Sequence, residues 1–236
     1  MKNLGIIAEF DPLHNGHRRL IRYAREHLGA DSVTVILGGE FSQRGTPAML
    51  SQRMRTAMAL SAGCDLVIAM PQIHACGSAG DFALSGVSLA DHMRCIDTLL
   101  FGCECDDMSL LTRTAEAIAN ENSEYRSVIT SLQKNGSSYP AARAAAIASV
   151  LDLSDEEAAF LSMPNAILAI EYILAIIKTG SRITPALIKR DGIGYSDTDL
   201  LPKENPSASA LRALIAAGDI AGTAPYVPDS VYDMLK

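Results

Sequence analysis

The sequence predicts a doubly wound α/β fold with a parallel sheet of about five strands, and three observations point to it. Short apolar or β-branched runs alternate with helix-length segments through roughly the first 105 residues. A turn rich in histidine, glycine and proline follows the first run at once, where a parallel sheet presents the carboxyl ends of its strands. From about residue 106 the pattern becomes helical, and one further strand-like run appears late. Spacers of helix length between parallel strands imply right-handed crossovers, which makes the predicted architecture Rossmann-like.

Taken in order, Leu4 to Phe10 reads as a first strand buried on both faces, followed by a helix over 16–28. Ser32 to Leu37 is the second strand. The stretch Gly38 to Pro47 has glycine and proline punctuation without periodicity, so it reads as a long loop. A helix over 50–62, a strand over Asp65 to Met70, a helix over 80–93 and a strand over Cys95 to Phe101 complete the first part. Helices are then expected at 107–120, 122–134, 138–150 and 164–178, with Pro164 at the first helical position of the last. Ile183 to Lys189 is a fifth strand, leading through a Gly/Asp-rich connection to a final short helix from about Ser207. Residues 1–105 with 183–236 would thus form one α/β unit, and 106–182 a helical insertion packed on it.

Composition narrows the class. The 236 residues, 48% apolar and 20% charged, suffice for a real core without a disulfide or metal staple. The longest apolar stretch, Ile167 to Ile177, is broken by Glu171 and falls short of the ~18 residues of a membrane span. The N-terminus lacks the apolar region and cleavage site of a signal peptide, so the expected location is the cytoplasm, with no membrane partner. A formal charge of −7 repels phosphate polymers, and contact with nucleic acid would have to come from a local basic patch. The cysteines (Cys64, Cys76, Cys95, Cys103, Cys105) are odd in number and form no CxxC pair, which disfavours a disulfide framework and a structural zinc site. Reduced thiols, mostly filling core space, are expected, and no protein metal site.

The sharpest local signal is Glu9-Phe10-Asp11-Pro12-Leu13-His14-Asn15-Gly16-His17, at the junction of the first strand and first helix. Histidines three apart point the same way if the turn is near-helical, and Gly16 leaves room for close approach to the backbone. A helix N-terminus adds unpaired N–H groups and partial positive charge, which suits a polyphosphate. Two imidazoles there can stabilise charge developing on an α-phosphate, without any protein nucleophile. The competing reading makes His14 a helix cap and His17 a surface residue. Glu9 is a candidate to orient a histidine or hold Mg²⁺, or simply a carboxylate at a strand end. Arg44 is a candidate closing cation in the long loop. Gly102, just after a strand, leaves its backbone open to close approach or is an ordinary turn glycine; Asn165 offers its amide or caps its helix; Lys189 and Arg190 can hold phosphates or form a solvated pair. Arg18, Arg19, Arg22 and Arg25 on the first helix either steer RNA or form a solvated face.

The HxGH turn after a first strand marks the nucleotidylyltransferase superfamily, and Ser207-Ala208-Ser209-Ala210-Leu211-Arg212 is similar to its second signature, a serine-rich segment ending in arginine at the start of a late helix. There the hydroxyls and guanidinium would meet the β- and γ-phosphates, unless Ser207 is only an N-cap and Arg212 a solvated residue. A closer likeness covers nearly the whole chain. Gly5 to His17, Phe41 to Ala48, Ala62 to Ile68, Phe101 to Glu104, Met163 to Leu168, Ile188 to Arg190 and Ser207 to Arg212 occur in the order seen in the tRNA(Met) cytidine acetate ligase family.

That resemblance implies an ATP-dependent ligase that activates acetate as acetyl-adenylate and acetylates the wobble cytidine of elongator tRNA(Met), giving N4-acetylcytidine. ATP, Mg²⁺, acetate and tRNA are the ligands it implies. By matching position, Ile7, Ala8, Glu9, Phe10, His14, Gly16, His17 and Leu20 would form the ATP cradle, completed by Gly102, Asn165, Lys189, Arg190, Ser207 and Ser209. His14, His17, Lys189 and Arg212 would carry the catalysis. The chain departs from the family's usual residues at Asp11 and Leu13 (commonly Asn and Phe), at Leu84 to Gly86 (commonly Arg-Gly after the Phe-Ala step) and at Ser196 (commonly His). Family members are generally longer, with a C-terminal region implicated in tRNA binding, so these residues are expected to be the ATP-handling part. Two alternatives remain open: an adenylyltransferase acting on a phosphorylated small molecule, and a non-catalytic nucleotide- or RNA-binding module.

Overall fold

A computed structural model of the chain describes residues 1–104, 106–190 and 207–236. The predicted Gly/Asp-rich connection, Ser196 and Cys105 lie outside them. Five strands, β1 (Asn3–Ala8), β2 (Ser32–Leu37), β3 (Leu66–Ala69), β4 (Thr98–Cys103) and β5 (Thr184–Lys189), form one parallel sheet in the order β3-β2-β1-β4-β5. The order reverses between β1 and β4, and in such sheets ligands bind outside the carboxyl ends of the strands at that point.

Among the described residues the helices are α1 (Asn15–Glu26), α2 (Gln52–Ser61), α3 (Gln72–Ala75), α4 (Ala79–His92), α5 (Met108–Asn120), α6 (Ser123–Lys134), α7 (Tyr139–Leu151), α8 (Asp155–Phe160), α9 (Pro164–Thr179), α10 (Ala208–Ala216) and α11 (Asp229–Leu235), with a 3₁₀ turn at Ala221–Tyr226. Alternate side chains of each central strand enter different cores. Leu4, Ile6, Val33, Val35 and Leu37 pack with Ile21 of α1, Met58 of α2 and Val231 of α11. Ile7, Ile36, Leu99 and Phe101 pack on the opposite face with Val87 of α4, Leu111 of α5 and Ile173 of α9. Burial on both faces is why these strands read as continuous apolar runs. At Gly86, a Cβ would lie 2.6 Å from Ile7 Cδ1, so the glycine lets α4 settle onto β1.

The helical segment is not a loose attachment, since α5 and α9 share the core of β4 and α4. This also explains the all-round apolar character of α9, whose residues Ala169 to Ile176 are buried. No single described helix is long and apolar enough to cross a membrane.

Several boundaries differ from the sequence reading. β1 ends at Ala8 because Phe10 takes a left-handed φ of 52°, incompatible with continuing the strand. β4 starts at Thr98, three residues later than expected: Asp97 turns its carboxylate to the backbone N–H of Asn3 at 2.8 Å and its own N–H to the Asn3 carbonyl. The strand then runs on to Cys103, so Gly102 is inside it. The helix from Ser207 is not the last, since the 3₁₀ turn and α11 follow. No disulfide joins the described cysteines; Cys64 and Cys103 are buried, Cys76 is half-buried and Cys95 exposed.

Candidate active site

The turn from β1 into α1 is built around two imidazoles that serve as its cap. His14 is the N-cap residue: its Nδ1 accepts the N–H of Gly16 at 3.1 Å, while Nδ1 of His17 accepts the N–H of His14 at 3.3 Å. The two rings stack with centroids 3.7 Å apart, and Phe10 leans on His17 at 4.8 Å. The cap reading of His14 therefore holds. Because each Nδ1 accepts a backbone proton, each neutral ring carries its own proton on Nε2, leaving that N–H as the group each can offer. Burial, reinforced by the charge of Arg190, pushes the His14 imidazole down to about 3. His17 is also held well below the ordinary imidazole range, by burial first, then by His14 and Arg190. Both rings are neutral donors at neutral pH.

The remaining residues of this turn anchor it to its surroundings. Asp11 accepts the backbone N–H groups of Met49 (2.9 Å) and Leu50 (3.0 Å), a use for its second oxygen that an asparagine carbonyl would not duplicate. Leu13 is fully buried. Arg55, only 1% exposed, was not singled out by its local sequence. Its guanidinium donates to the carbonyls of Leu50 (2.9 Å), Glu9 (2.7 Å), Gly38 (3.2 Å) and Gly39, tying the ends of β1 and β2 to α2. Glu9 does not turn to a histidine; its carboxylate accepts the N–H of Gln43 and so holds the long loop. Arg44 is exposed in that loop. Ile7 is committed to the core, Ala8 ends β1, Gly16 supplies the N–H to His14, and Leu20 packs against the α1-side core.

A second wall comes from β4, β5 and α9. Gly102 lies beneath the stem of Arg190, whose Cγ would be 3.1 Å from a Cβ at that position. Asn165 is the second residue of α9, and its side chain does not cap the helix. It donates through Nδ2 to Glu104 Oε1 at 2.7 Å and receives Arg190 Nη1 on Oδ1 at 3.3 Å. Arg190, just beyond β5, thus supplies the positive charge felt by both histidines; its own pKa is lowered by burial, against the opposing pull of Glu104 and Cys103. Lys189 points elsewhere. It is exposed and lines a groove of about 790 Å³ with Arg19, Arg22 and Tyr23 of α1. Of the α1 arginines, Arg22 pairs with Glu26 and Arg25 with Asp65.

The third wall is the start of α10. Ser207 is its N-cap, accepting the N–H of Ala210 at 3.2 Å, as the bland reading had it. Arg212 is no solvated residue, for it donates to the carbonyl of Asp11 at 2.8 Å and to Ser209 Oγ at 2.9 Å. Asn15 adds a second tie, donating to the carbonyl of Pro225 at 3.1 Å. The serine-arginine segment and the histidine turn, some 200 residues apart in the chain, are thereby brought together at the switch point of the sheet.

A parallel sheet with a histidine-capped helix at its switch point, and with one arginine just beyond β5 and another from α10 around it, defines a nucleotide-transfer type of site. The chain belongs to the HIGH nucleotidyl transferase family, whose model matches residues 1–236. It is 36% identical over 242 residues to the tRNA(Met) cytidine acetate ligase of Clostridium perfringens, covering 100% of this chain and 60% of that protein. With the ligase of that name from Caldicellulosiruptor saccharolyticus it shares 40% identity over 212 residues, covering 90% of this chain and 52% of the other. The ligand-free crystal structure of Thermotoga maritima TmcAL superposes with a TM-score of 0.94 at 33% identity, over 100% of this chain and 56% of that one. A second form of that protein, bound with alpha-thio ATP, superposes with a TM-score of 0.91 at 32% identity, over 100% and 55% of the two chains. The chain spans little more than half the length of these relatives.

Proposed function

We propose that this chain is the ATP-handling part of a tRNA(Met) cytidine acetate ligase. The observation that carries the reading is the reciprocal histidine cap, which places two neutral Nε2–H donors and a helix N-terminus together at the switch point. The triphosphate would lie along α1, with His14 and His17 toward the α-phosphate and Arg190 and Arg212 as cationic clamps. An acetate oxygen attacks the α-phosphorus, the bond to the bridging oxygen breaks, and pyrophosphate leaves, giving acetyl-adenylate. The cytidine N4 amine then attacks the acetyl carbonyl, AMP leaves, and one proton is released. The names of the relatives and the nucleotide analogue bound to the Thermotoga protein support this reading.

Arg190, rather than Lys189, is the proposed partner of the histidines, because Lys189 faces the α1 groove. Among the described residues no three His, Cys, Asp or Glu side chains converge to hold a metal ion. Mg²⁺ commonly binds through substrate phosphates and waters, so no step is assigned to a protein-held ion.

Acetate-dependent ATP–pyrophosphate exchange tests the proposal. Replacing both His14 and His17 by Ala should lower the exchange rate about 100-fold or more. Undiminished exchange in that variant would overturn the mechanism. Pyrophosphate release with a phosphate monoester but not with acetate would assign the site to adenylyl transfer onto a phosphorylated small molecule.

A further inference from the structure

We infer that Glu104 is a specificity-determining residue of the nucleotide site, aligning Asn165 with one carboxylate oxygen and accepting a hydrogen bond from a neutral donor of the nucleotide with the other. The inference rests on the ATP reading above and names a residue that reading does not use.

Glu104 is the first residue beyond β4, beside the switch point. Its Oε1 accepts two hydrogen bonds from Asn165, from the backbone N–H at 3.2 Å and from Nδ2 at 2.7 Å. These fix which way the amide lies. With Nδ2 committed to Glu104, Oδ1 is presented to Arg190 Nη1 at 3.3 Å. The carboxylate therefore sets the amide, and the amide steadies the cation that stands by the histidines.

The other oxygen, Oε2, is buried and has no hydrogen-bond partner among the described residues. A charged acceptor withdrawn from water without a donor is costly, and a native fold seldom leaves one so unless something else completes it. Arg190 lends Glu104 the nearness of its charge but makes its hydrogen bond to Asn165, and Arg212 is directed to Asp11 and Ser209. The triphosphate cannot serve, being an acceptor itself and negatively charged. What remains on an adenine nucleotide is a neutral donor, either a ribose hydroxyl or the exocyclic amine. Gly102, two residues before, is the position where the strand offers no side chain above its backbone except the stem of Arg190.

Glu104→Gln separates the two tasks. The glutamine carbonyl can still receive Asn165, but its NH₂ meets the ligand donor with a donor. Calorimetric titration of wild type and variant with ATP, 2′-deoxy-ATP, 3′-deoxy-ATP and the 6-deaminated purine riboside triphosphate reads the partner directly. ATP affinity should fall about 10-fold in Glu104→Gln. One analogue should bind wild type more weakly than ATP does, yet lose nothing further in the variant, which identifies the ribose or the base as the source. Asn165→Ala should weaken ATP binding while leaving the discrimination among analogues intact. Unchanged ATP affinity in a folded Glu104→Gln, or losses that simply add for every analogue, would overturn the assignment. Failure of wild type to bind ATP at all would overturn the ATP reading itself, and this inference with it.

Discussion

At the residue scale, the histidine turn shows how one hydrogen bond both caps a helix and fixes a tautomer. His14 caps α1 because an imidazole nitrogen can accept a backbone N–H as a serine oxygen does, and the same bond places its remaining proton on Nε2. The arrangement has a pH signature. Unfolded, His14 takes a proton near 6.5; folded, it resists protonation down to about 3. The unfolded state therefore binds more protons in that interval, and stability should be full above about pH 6.5 and decline as pH falls toward 3. His17 adds in the same direction. Thermal melts across this range should show the decline, and His14→Asn, which keeps a capping oxygen without the titration, should make it shallower. An equal slope in that variant would place the acid sensitivity elsewhere.

At the element scale, the close seating of α4 on β1 makes the most direct claim. A methyl group at position 86 would press on Ile7, whose Cδ1, Cγ1 and Cγ2 would lie within 3.1 Å. Gly86→Ala should destabilise the protein by about 1–3 kcal/mol despite the gain in helix propensity, measured by urea unfolding. Most elements were legible because their signals are local. The strands buried on both faces appear as apolar runs and the longer helices as periodic patterns; the structure adds their caps, with Ser51 before α2, Ser78 before α4 and Ser138 before α7 each accepting a backbone N–H. Pro164 opens α9 as expected. The segments missed were α3, α8, α11 and the 3₁₀ turn, each of seven residues or fewer, too short to display a period. The candidate site was legible to the same extent. His14, Gly16 and His17 form a contiguous pattern, and Ser207 to Arg212 a second one. Arg55 left no such trace, and Glu104, though it ends the segment Phe101 to Glu104, showed no role, since their partners lie 5 to 61 residues away and only the folded backbone brings them near.

At the scale of the whole molecule, the sheet separates two cores, and the helical insertion belongs to one of them. We propose the division into 1–105 with 183–236 and 106–182 as one of chain topology and not of stability. Since α5 and α9 share buried contacts with β4 and α4, the two parts should melt together. Far-ultraviolet dichroism, reporting mostly helix, and near-ultraviolet dichroism of the tyrosines should give one midpoint. Two separated midpoints would mark the insertion as an independent unit.

The bond from Arg212 to the carbonyl of Asp11, with that from Asn15 to Pro225, also orders events in time. A chain made from its N-terminus onward presents the histidine turn well before its fastening. Until α10 has emerged, some 200 residues later, the first loop has no partner from that helix. The turn can therefore reach its fastened geometry only after all five strands of the sheet have been made.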